Sequence, residues 1–499
     1  MCYLCSAKSK YQFYYIIKAM KKKLCVAAIM AASASAAMAG GLLTNTNQNA
    51  VFLRNPARDA AIGIADYYSN PAGVAFLDKG FHLSLSWQAA FQKRQINSDA
   101  SFYEYNTANP STKRFFEGVT NAPVIPSFQV AYVFNEKWSV NAQFAVGGGG
   151  GACEFDNGLP MFEQLLGGQL ASAINSATNP TGSPKYSYSL NQNLTGRSYF
   201  YGVQVGTTYK VTDNVSVFGG VRGVIARGGY EGSITGFKVN GIDAKNYSAG
   251  FAQSSAQAAA AAQQYAAAGD LKNAEKYADM ATQAGTVALM TSEKLVLDCS
   301  QSGFGITPIL GVDWNLGKLN LAAKYEFKTK INMENDSKNS KNVDDAFGDY
   351  KNGAKVRSDI PALLTVGAQY SLLDNLRLMG GFHYWWEKKA KGSATNVEKN
   401  TWEVTYGAEF DVNNWLTLSA GGQTTRINQG DGLVDTNFSP SSNTLALGAT
   451  FRLSKMVNLN AGYMHTFYTD VQKKSPDGNI VDTYTRKNDA LGVSVDLKF

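Results

Sequence analysis

Apolar and polar side chains alternate along much of the chain after residue 80. Between Trp402 and Val412 every second residue is apolar, and Glu, Thr, Gly, Glu and Asp fill the positions between. The last nine residues, Leu491 to Phe499, repeat this pattern. Alternation with period two predicts β-strands that have one apolar and one polar face.

Fourteen stretches of this kind follow one another towards the end of the chain. Several are close to the ~9–11 residues that a tilted strand needs to cross a bilayer. Their polar faces carry charges in mid-strand, as the inner surface of a membrane barrel does. The predicted strands span 80–94, 124–134, 138–147, 196–211, 215–231, 302–314, 318–333, 356–371, 376–390, 400–412, 415–427, 442–453, 456–470 and 485–499.

The connections and the aromatic residues favour a barrel over a sandwich. Short polar hairpins such as 135–137 and 413–414 alternate with long loops, which is the outer-membrane pattern. Aromatic residues gather at strand ends, as an interfacial girdle requires; they are Trp138, Tyr209, Trp314, Tyr370, Trp385, Trp386, Trp402 and Trp415. We therefore predict an all-β fold, a 14-stranded antiparallel transmembrane β-barrel whose long loops lie outside the cell.

The composition of the chain narrows the range of possible functions. The chain has 499 residues with 17% charged, and its mean hydropathy of −0.21 argues against a helical membrane protein. The net charge is +7, but residues 1–39 hold six lysines and no acid, so the remaining chain carries +1. That near-neutral balance gives no electrostatic basis for nucleic-acid binding. With three histidines and no phosphate-loop or metal-ligand spacing, we predict no enzymatic activity, no metal and no cofactor.

A secretory signal precedes the predicted strands. Lys21–Lys23 is positively charged, Leu24–Ala32 is apolar, and Ala37–Ala39 matches a small-residue cleavage site. We predict a signal peptide over residues 1–39, with Met20 as the true start of translation. The alternative is an N-terminal anchor helix, although the apolar run is short for a membrane span.

Two cysteines remain after the signal segment, Cys153 and Cys299. Both lie in predicted loops of an exported chain, where oxidising conditions permit disulfides. The residues themselves leave open whether these two form a disulfide or stay free.

Two long loops have a helical composition. Residues 252–295 are rich in Ala and Gln, and Gly269-Asp270 is expected to divide this insert into two helices. A shorter helix is predicted over Met161–Asn175. Because both lie in long loops, we expect them on the extracellular side of the barrel.

Residues 40–79 precede the first strand and are too interrupted by Pro and Gly to form another one. They contain the triplets Asn55-Pro56-Ala57 and Asn70-Pro71-Ala72. Asn caps a helix and Pro is tolerated at its first position, so each triplet suits a helix start. We predict that residues 40–79 plug the barrel formed by residues 80–499.

These residues resemble a known family. Tyr68–Gly73, followed by Val74–Phe76, is similar to the hatch signature of the FadL/TodX outer-membrane transporters of long-chain fatty acids and aromatic hydrocarbons. Val211–Gly220 resembles the fourth and fifth strands of that family, and Cys153–Asn157 resembles the loop after its third strand. The chain ends in Phe499, as most outer-membrane barrels end in Phe.

The resemblance implies an N-terminal hatch in which Asn70, Pro71 and Ala72 form the critical turn. It also implies that a hydrophobic ligand enters through the outer loops and leaves sideways through a gap near the third strand. Glycines at the end of that strand permit the necessary kink; they are Gly147, Gly148, Gly149, Gly150 and Gly151. The alternatives are a plain helix-capping turn for the triplet and a flexible loop start for the glycines.

A contact for a ligand carboxylate is also implied. Arg227 matches the position of a lumen arginine in the family, and its fork can bind both carboxylate oxygens. Lys391, after Trp385-Trp386, is a second candidate. The alternatives are an ion pair of Arg227 with an acid, and an outer rim at Lys391 that faces lipopolysaccharide phosphates.

The resemblance thus implies a monomeric outer-membrane transporter for passive uptake of hydrophobic compounds, such as long-chain fatty acids, by a hatch-gated lateral route. Expected partners are hydrophobic small molecules, outer-membrane lipid and lipopolysaccharide, and the barrel assembly machinery through Phe499. We expect no nucleic acid. The alternatives are a general diffusion porin and a structural or adhesive outer-membrane protein.

Overall fold

A closed antiparallel barrel forms the body of the computed structural model, which describes Leu42 and residues 44–179, 185–392 and 397–499. The predicted signal peptide lies outside these residues. The barrel closes because the first strand pairs with both the second and the last. Its fourteen strands are β1 Gly80–Ala100, β2 Lys113–Val133, β3 Trp138–Phe155, β4 Tyr188–Lys210, β5 Val215–Val239, β6 Leu295–Asn315, β7 Leu319–Glu326, β8 Leu363–Leu373, β9 Leu376–Trp385, β10 Lys399–Asp411, β11 Leu416–Asn428, β12 Ser442–Arg452, β13 Val457–Tyr468 and β14 Ile480–Lys498.

The predicted alternation is confirmed as an apolar outer wall and a polar inner wall. In β10, Trp402, Val404 and Tyr406 are exposed on the outside, whereas Glu403 and Thr405 are buried inside. Closure of the barrel gives every strand a hydrogen-bonded neighbour on both sides, as a bilayer requires. Among the residues that the structure describes, no helix is long and apolar enough to cross a membrane.

Aromatic residues at the strand ends form the predicted girdle, but one residue assigned to it lies elsewhere. Trp138 packs against Tyr209 with ring centroids 4.6 Å apart, and Trp415 stacks on Phe451 at 6.2 Å. Trp385, in contrast, is fully buried in the lumen. It occupies an inward position of β9, where period two puts the side chain on the opposite face from the girdle.

Several strands differ in length from the prediction. β2 begins at Lys113 instead of 124, β3 continues to Phe155, and β7 ends at Glu326 instead of 333. The long strands continue above the bilayer, where their inward residues join an apolar core with the outer loops. Four short strands extend this outer rim, namely Ile242–Asp243, Asn332–Ser337, Lys355–Arg357 and Val471–Lys474.

The outer loops carry the helices. The helices are α2 Pro160–Glu163, continued by π-helical Gln164–Leu170 and α3 Ala171–Thr178, then α4 Lys245–Ala267, α5 Leu271–Thr291 and α6 Lys341–Ala346; α1, Ala50–Arg54, precedes the barrel. Gly269, at φ +78°, separates α4 from α5, and the Asp270 side chain caps α5 by accepting from the Asn273 N–H. Ser255 Oγ donates to the Ala281 carbonyl at 2.7 Å and joins the two helices.

Candidate functional site

The N-terminal segment (residues 44–79) lies inside the barrel. Between Asn45 and Ala75 every residue is buried except Ile62 and Gly63, which are half-buried. Asn49 caps α1, and 3-10 turns follow at Ile64–Asp66 and Pro71–Phe76. Such short turns suit a segment interrupted by Pro and Gly.

A belt of glycines on the inner wall receives this segment. A Cβ atom at any of them would lie within 3.0 Å of an atom of residues 53–60. Each of the strands from β8 to β14 contributes one, and many are register partners. The glycine belt is Gly367, Gly381, Gly407, Gly421, Gly448, Gly462 and Gly492. Absence of a side chain permits this close approach of two backbones.

Buried ion pairs fix the same stretch to the wall. Arg54 and Arg58 both bind Glu409 of β10, at 2.6 and 2.5 Å. His383 of β9 lies between the carboxylates of Asp59, at 3.0 Å, and Glu403, at 2.7 Å. Removal of one partner of a buried pair is strongly destabilising, so these contacts hold the segment in one position.

The Asn70-Pro71-Ala72 turn anchors the opposite side of the segment. Asn70 Oδ1 accepts from the Gly73 N–H at 3.1 Å, and Asn70 Nδ2 donates to Asp313 of β6. Thr208 donates to the Pro71 carbonyl at 3.2 Å, and Ser216 donates to the Ala72 carbonyl at 2.7 Å. The turn therefore caps a helix and also binds three strands of the wall.

The wall itself is interrupted between β2 and β3. Register pairs join the two strands at Val119–Glu154 and at Phe128–Phe144, and the ladder breaks between them. β3 stays paired with β4 there, but with two register shifts within the run of glycines. Gly149 and Gly151 have φ of +77° and +88°, which residues with a side chain rarely adopt.

Two prolines on β2, which the sequence alone did not single out, lie at the interruption. Pro123 and Pro126 lie within the unpaired stretch. Proline has no N–H to give to a ladder, so this edge of β2 cannot pair normally. Proline within a strand indicates an edge strand. The predicted strand began at residue 124, so Pro123 was not placed within a strand and this indication of an edge was lost.

The beginning of the N-terminal segment covers the interruption from inside. Thr44 bridges Gly148, and the Asn45 N–H donates to the Gly147 carbonyl at 3.1 Å. The Leu42 N–H donates to Glu387 Oε1 at 2.9 Å, just beyond the end of β9. Burial raises the pKa of Glu387 to about 7, so this carboxyl is partly protonated near neutral pH.

Two cavities lie between the outer loops and this point. The larger has a volume of about 330 Å³ and is lined by Phe200, Tyr230 and Met333 among others. A small one of about 20 Å³ lies against Thr44 and Gly147, and Phe200 lines both. Phe200 therefore separates the outer cavity from the covered interruption.

Comparison with known proteins agrees with this architecture. Residues 337–499 match the family model for the outer membrane protein beta-barrel domain. A FadL homologue from Pseudomonas aeruginosa superposes with a TM-score of 0.62 at 14% identity, over 92% of this chain and all of that chain. The P. putida toluene transporter TodX gives 0.54 at 14% identity, over 88% and 94%. The barrel has the FadL fold. No curated protein matches the chain in sequence.

This FadL-like barrel is a bacterial outer-membrane protein, as the exposed apolar wall and the family model require.

Arg227 is not in the lumen of this FadL-like barrel, so the predicted carboxylate contact is corrected. It is exposed on the outer wall, on the same face of β5 as Val221 and Ile225. The inward arginine is Arg222, which binds Glu326 at 2.6 Å and lies 5.2 Å from the Tyr68 ring. Period two along β5 already assigned Arg222 and Arg227 to opposite faces.

Lys391 is likewise exposed, beyond the outer end of β9. Its backbone N–H, not its ammonium group, donates to Asp359 Oδ2 at 3.1 Å. Its side chain is therefore on the rim, which was the alternative interpretation.

Of the two possibilities that the sequence left open for the cysteines, the structure has the free thiols, and both are buried. Cys153 lies on β3 and Cys299 on β6. Three strand spacings of about 4.8 Å separate them by about 14 Å. A disulfide requires Cα atoms within about 7 Å.

Replacement of Asn70 by alanine is expected to lower the free energy of unfolding by about 1–3 kcal/mol, because a cap and two buried hydrogen bonds are lost. The change in the free energy of unfolding is obtained from thermal unfolding curves that are recorded by circular dichroism. Asn135→Ala is the control, since that exposed turn residue also accepts two backbone N–H bonds. An equal effect of both substitutions would contradict a special anchoring role.

Proposed function

We propose that this outer-membrane barrel takes up hydrophobic compounds, such as long-chain fatty acids, by a lateral route through the wall. The interrupted ladder between β2 and β3 carries the proposal. Its edges are proline on one side and glycine on the other, so neither edge restores the ladder by itself.

The proposed route begins at the outer cavity beside Phe200 and continues to the small cavity at Gly147. Residues 44–48 act as the movable hatch, since they cover the interruption through the contacts Thr44–Gly148, Asn45–Gly147 and Gln48–Gln143 with β3. Displacement of this short stretch would open the interruption to the bilayer. The ion pairs at residues 54–59 keep the remainder of the segment in place.

A general diffusion porin is less well supported. The lumen contains the buried N-terminal segment instead of a wide water-filled channel. The fold shared with proteins described as a FadL homologue and a toluene transporter supports transport of apolar compounds over an enzymatic function.

Expression of the protein in outer-membrane mutant cells that lack their own fatty-acid transporter is expected to restore uptake of labelled oleate. The cells also lack their general porins, and they should remain impermeable to a hydrophilic sugar of similar mass, because the lumen of this barrel is plugged. Uptake of radiolabelled oleate measures the transport of fatty acid, and uptake of labelled maltose measures the permeability to sugar. Rapid sugar entry without a gain in oleate uptake would overturn the proposal in favour of a porin.

A further inference from the structure

The wall has a second break in its ladder, between β6 and β7. From the periplasmic end, β6 pairs with β7 as far as Ile309, and from Ser302 outwards it pairs with the short strand Asn332–Ser337. Within the described chain, residues 303–307 have no register partner on this side, although β5 pairs with them continuously on the other. This unpaired stretch is named the β6–β7 gap.

The backbone of the β6–β7 gap lacks partners on its open side. The Pro308 carbonyl, at the periplasmic end of the gap, accepts from the Phe327 N–H at 3.0 Å and so faces β7. Alternate residues of a strand direct their backbone groups to the same side, which turns those of Ile306 and Phe304 towards the gap. Unpaired backbone groups at membrane depth need polar surroundings. An occupant of the gap must therefore offer polar atoms as well as apolar surface.

The membrane side of the β6–β7 gap is apolar and open. Phe304 and Ile306 are 59% and 57% exposed, whereas Ile225 and Val221 on the neighbouring strand β5 are 41% and 46% exposed. The difference follows from the missing neighbour on the β7 side. Two large apolar side chains are thus available to a bilayer lipid.

The β6–β7 gap has a protein floor. Residues 329–331 pass behind it, and a Cβ atom at Gly303 or Gly305 would lie 2.8 Å from the side chain of Ile331. Ile331 is fully buried in an apolar cluster with Phe200 and Val224. The gap is therefore a shallow groove that is closed from the inside, unlike the interruption between β2 and β3.

The position of the gap along β6 sets its depth in the membrane. Phe304 lies ten residues from Trp314, which is at the periplasmic end of the strand. At about 3.3 Å per residue and a tilt of about 40°, this separation spans about 25 Å, the height of the apolar band of such barrels. The gap thus lies where the acyl chains of the outer leaflet meet their headgroups.

Two cations flank the β6–β7 gap at this boundary. Arg227, the register partner of Ser302, is exposed on the outer wall, and its Nη1 donates to the Ala226 carbonyl at 3.1 Å. Lys330 is exposed, and its carbonyl oxygen would lie 3.0 Å from a Cβ atom at Gly305. No ion pair of the described residues includes Arg227 or Lys330.

The acids of the same rim already have partners. Glu231 binds Arg197 at 2.8 Å, and Glu334 binds Lys355 at 3.3 Å. Their charges are thereby balanced, which leaves the two cations beside the gap as surplus positive charge. Guanidinium and ammonium groups both bind phosphate through charge-assisted hydrogen bonds.

We propose that the β6–β7 gap binds a lipopolysaccharide molecule of the outer leaflet. One acyl chain lies along Phe304 and Ile306, the phosphates of lipid A contact Arg227 and Lys330, and the carbonyl and hydroxyl groups of the lipid supply polar atoms for the open backbone. The inference goes beyond the proposed function, because it requires only that the barrel lies in the outer membrane.

The experiment measures lipid binding to the refolded mature protein in detergent by native mass spectrometry. The probes are rough-type lipopolysaccharide, the same lipopolysaccharide after chemical removal of its phosphates, phosphatidylglycerol and inorganic phosphate. We expect intact lipopolysaccharide to bind at least about tenfold more tightly than any of the other three, because only this lipid combines several phosphates with acyl chains.

A double substitution tests the two cations. Arg227→Gln with Lys330→Gln should weaken the binding of intact lipopolysaccharide about tenfold and leave the dephosphorylated form unchanged. The matched control is Lys137→Gln with Lys455→Gln, which removes the same charge from exposed turns at the periplasmic end. The control should bind intact lipopolysaccharide like the unmodified protein.

A single substitution tests the apolar surface. Phe304→Ala should weaken intact and dephosphorylated lipopolysaccharide alike, by about fivefold, because both forms keep their acyl chains. Val312→Ala is the control, since Val312 is also exposed on β6 but lies where the ladder with β7 is continuous. It should leave both affinities unchanged.

Four results would overturn the proposal. They are equal affinity for intact and dephosphorylated lipopolysaccharide, equal affinity for lipopolysaccharide and phosphatidylglycerol, displacement of the lipid by an equal concentration of inorganic phosphate, and unchanged affinity in the Arg227→Gln, Lys330→Gln variant. The first three use the unmodified protein, so they remain decisive if a variant does not fold. No measurement involves uptake of oleate, so this inference and the proposed function stand or fall separately.

Discussion

Replacement of Gly381 by valine is expected to convert a silent barrel into a conducting one. A Cβ atom at residue 381 would lie 2.9 Å from Asp59 Cγ and 2.6 Å from Thr405 Oγ1, too close for either neighbour. The overlap would push Asp59 away from His383 and loosen the segment at its ion pairs. Overpacking of this kind costs about 1–3 kcal/mol, which is comparable to one of the contacts that hold the segment.

Single-channel recording of the refolded protein in a planar bilayer measures the effect. The unmodified protein should give silence or rare small flickers, and Gly381→Val should give large and steady steps. Deletion of residues 40–79 should give still larger steps, since the whole lumen then fills with water.

The neighbouring glycine provides the control. Gly380 faces the outside, and a Cβ atom there would meet only the Thr405 carbonyl at an ordinary 3.7 Å. Gly380→Val should therefore stay silent. Steady conductance in both variants would indicate a general loss of barrel integrity, and silence in both would mean that the glycine belt does not position the segment.

The sequence predicted the wall well because the bilayer imposes a simple rule on it. Outside positions such as Trp402 must be apolar and inside positions such as Glu403 are free to be polar, so period two is visible in each strand alone. The outer ends of the strands follow no such rule. There the inner face of β2 packs against loops and its outer face meets water. The sequence therefore did not indicate that the alternation of β2 begins at Lys113.

The candidate site was harder to predict because it depends on register between strands. Seven glycines that lie on seven strands form one belt only when the strands are aligned, and no single strand carries that information. The same holds for the β6–β7 gap, which exists only because the register partners of β6 stop at Ile309 and resume at Ser302. The run of glycines at 147–151 was visible because it is local.

A disulfide across the wall interruption is expected to abolish uptake of hydrophobic compounds reversibly. Ala122 on β2 faces Gly151 on β3, and a Cβ atom at residue 151 would lie 3.9 Å from that of Ala122. Disulfides have Cβ atoms about 3.8 Å apart, so Ala122→Cys with Gly151→Cys should join the two edges. The positive φ of Gly151 makes a cysteine there cost about 1–2 kcal/mol, which the barrel should tolerate.

The variant is made in a Cys153→Ser, Cys299→Ser background, because both native thiols are free. Oleate uptake by cells should fall to the level of cells without the protein under oxidising conditions, and return after treatment with dithiothreitol. Val130→Cys with Ala142→Cys is the matched control, since these register partners join the same strands where the ladder is continuous. That cross-link should leave uptake unchanged in either redox state.

The comparison separates a lateral route from an axial one. A ligand that passed straight through the lumen would need only the N-terminal segment to move, and a bond between β2 and β3 would not obstruct it. Full uptake by the oxidised Ala122→Cys, Gly151→Cys protein would therefore exclude exit through the wall. Loss of uptake in that variant alone requires that the ligand pass between the glycines of β3 and the prolines of β2, because the bond changes the wall at that point and leaves the segment and its ion pairs untouched.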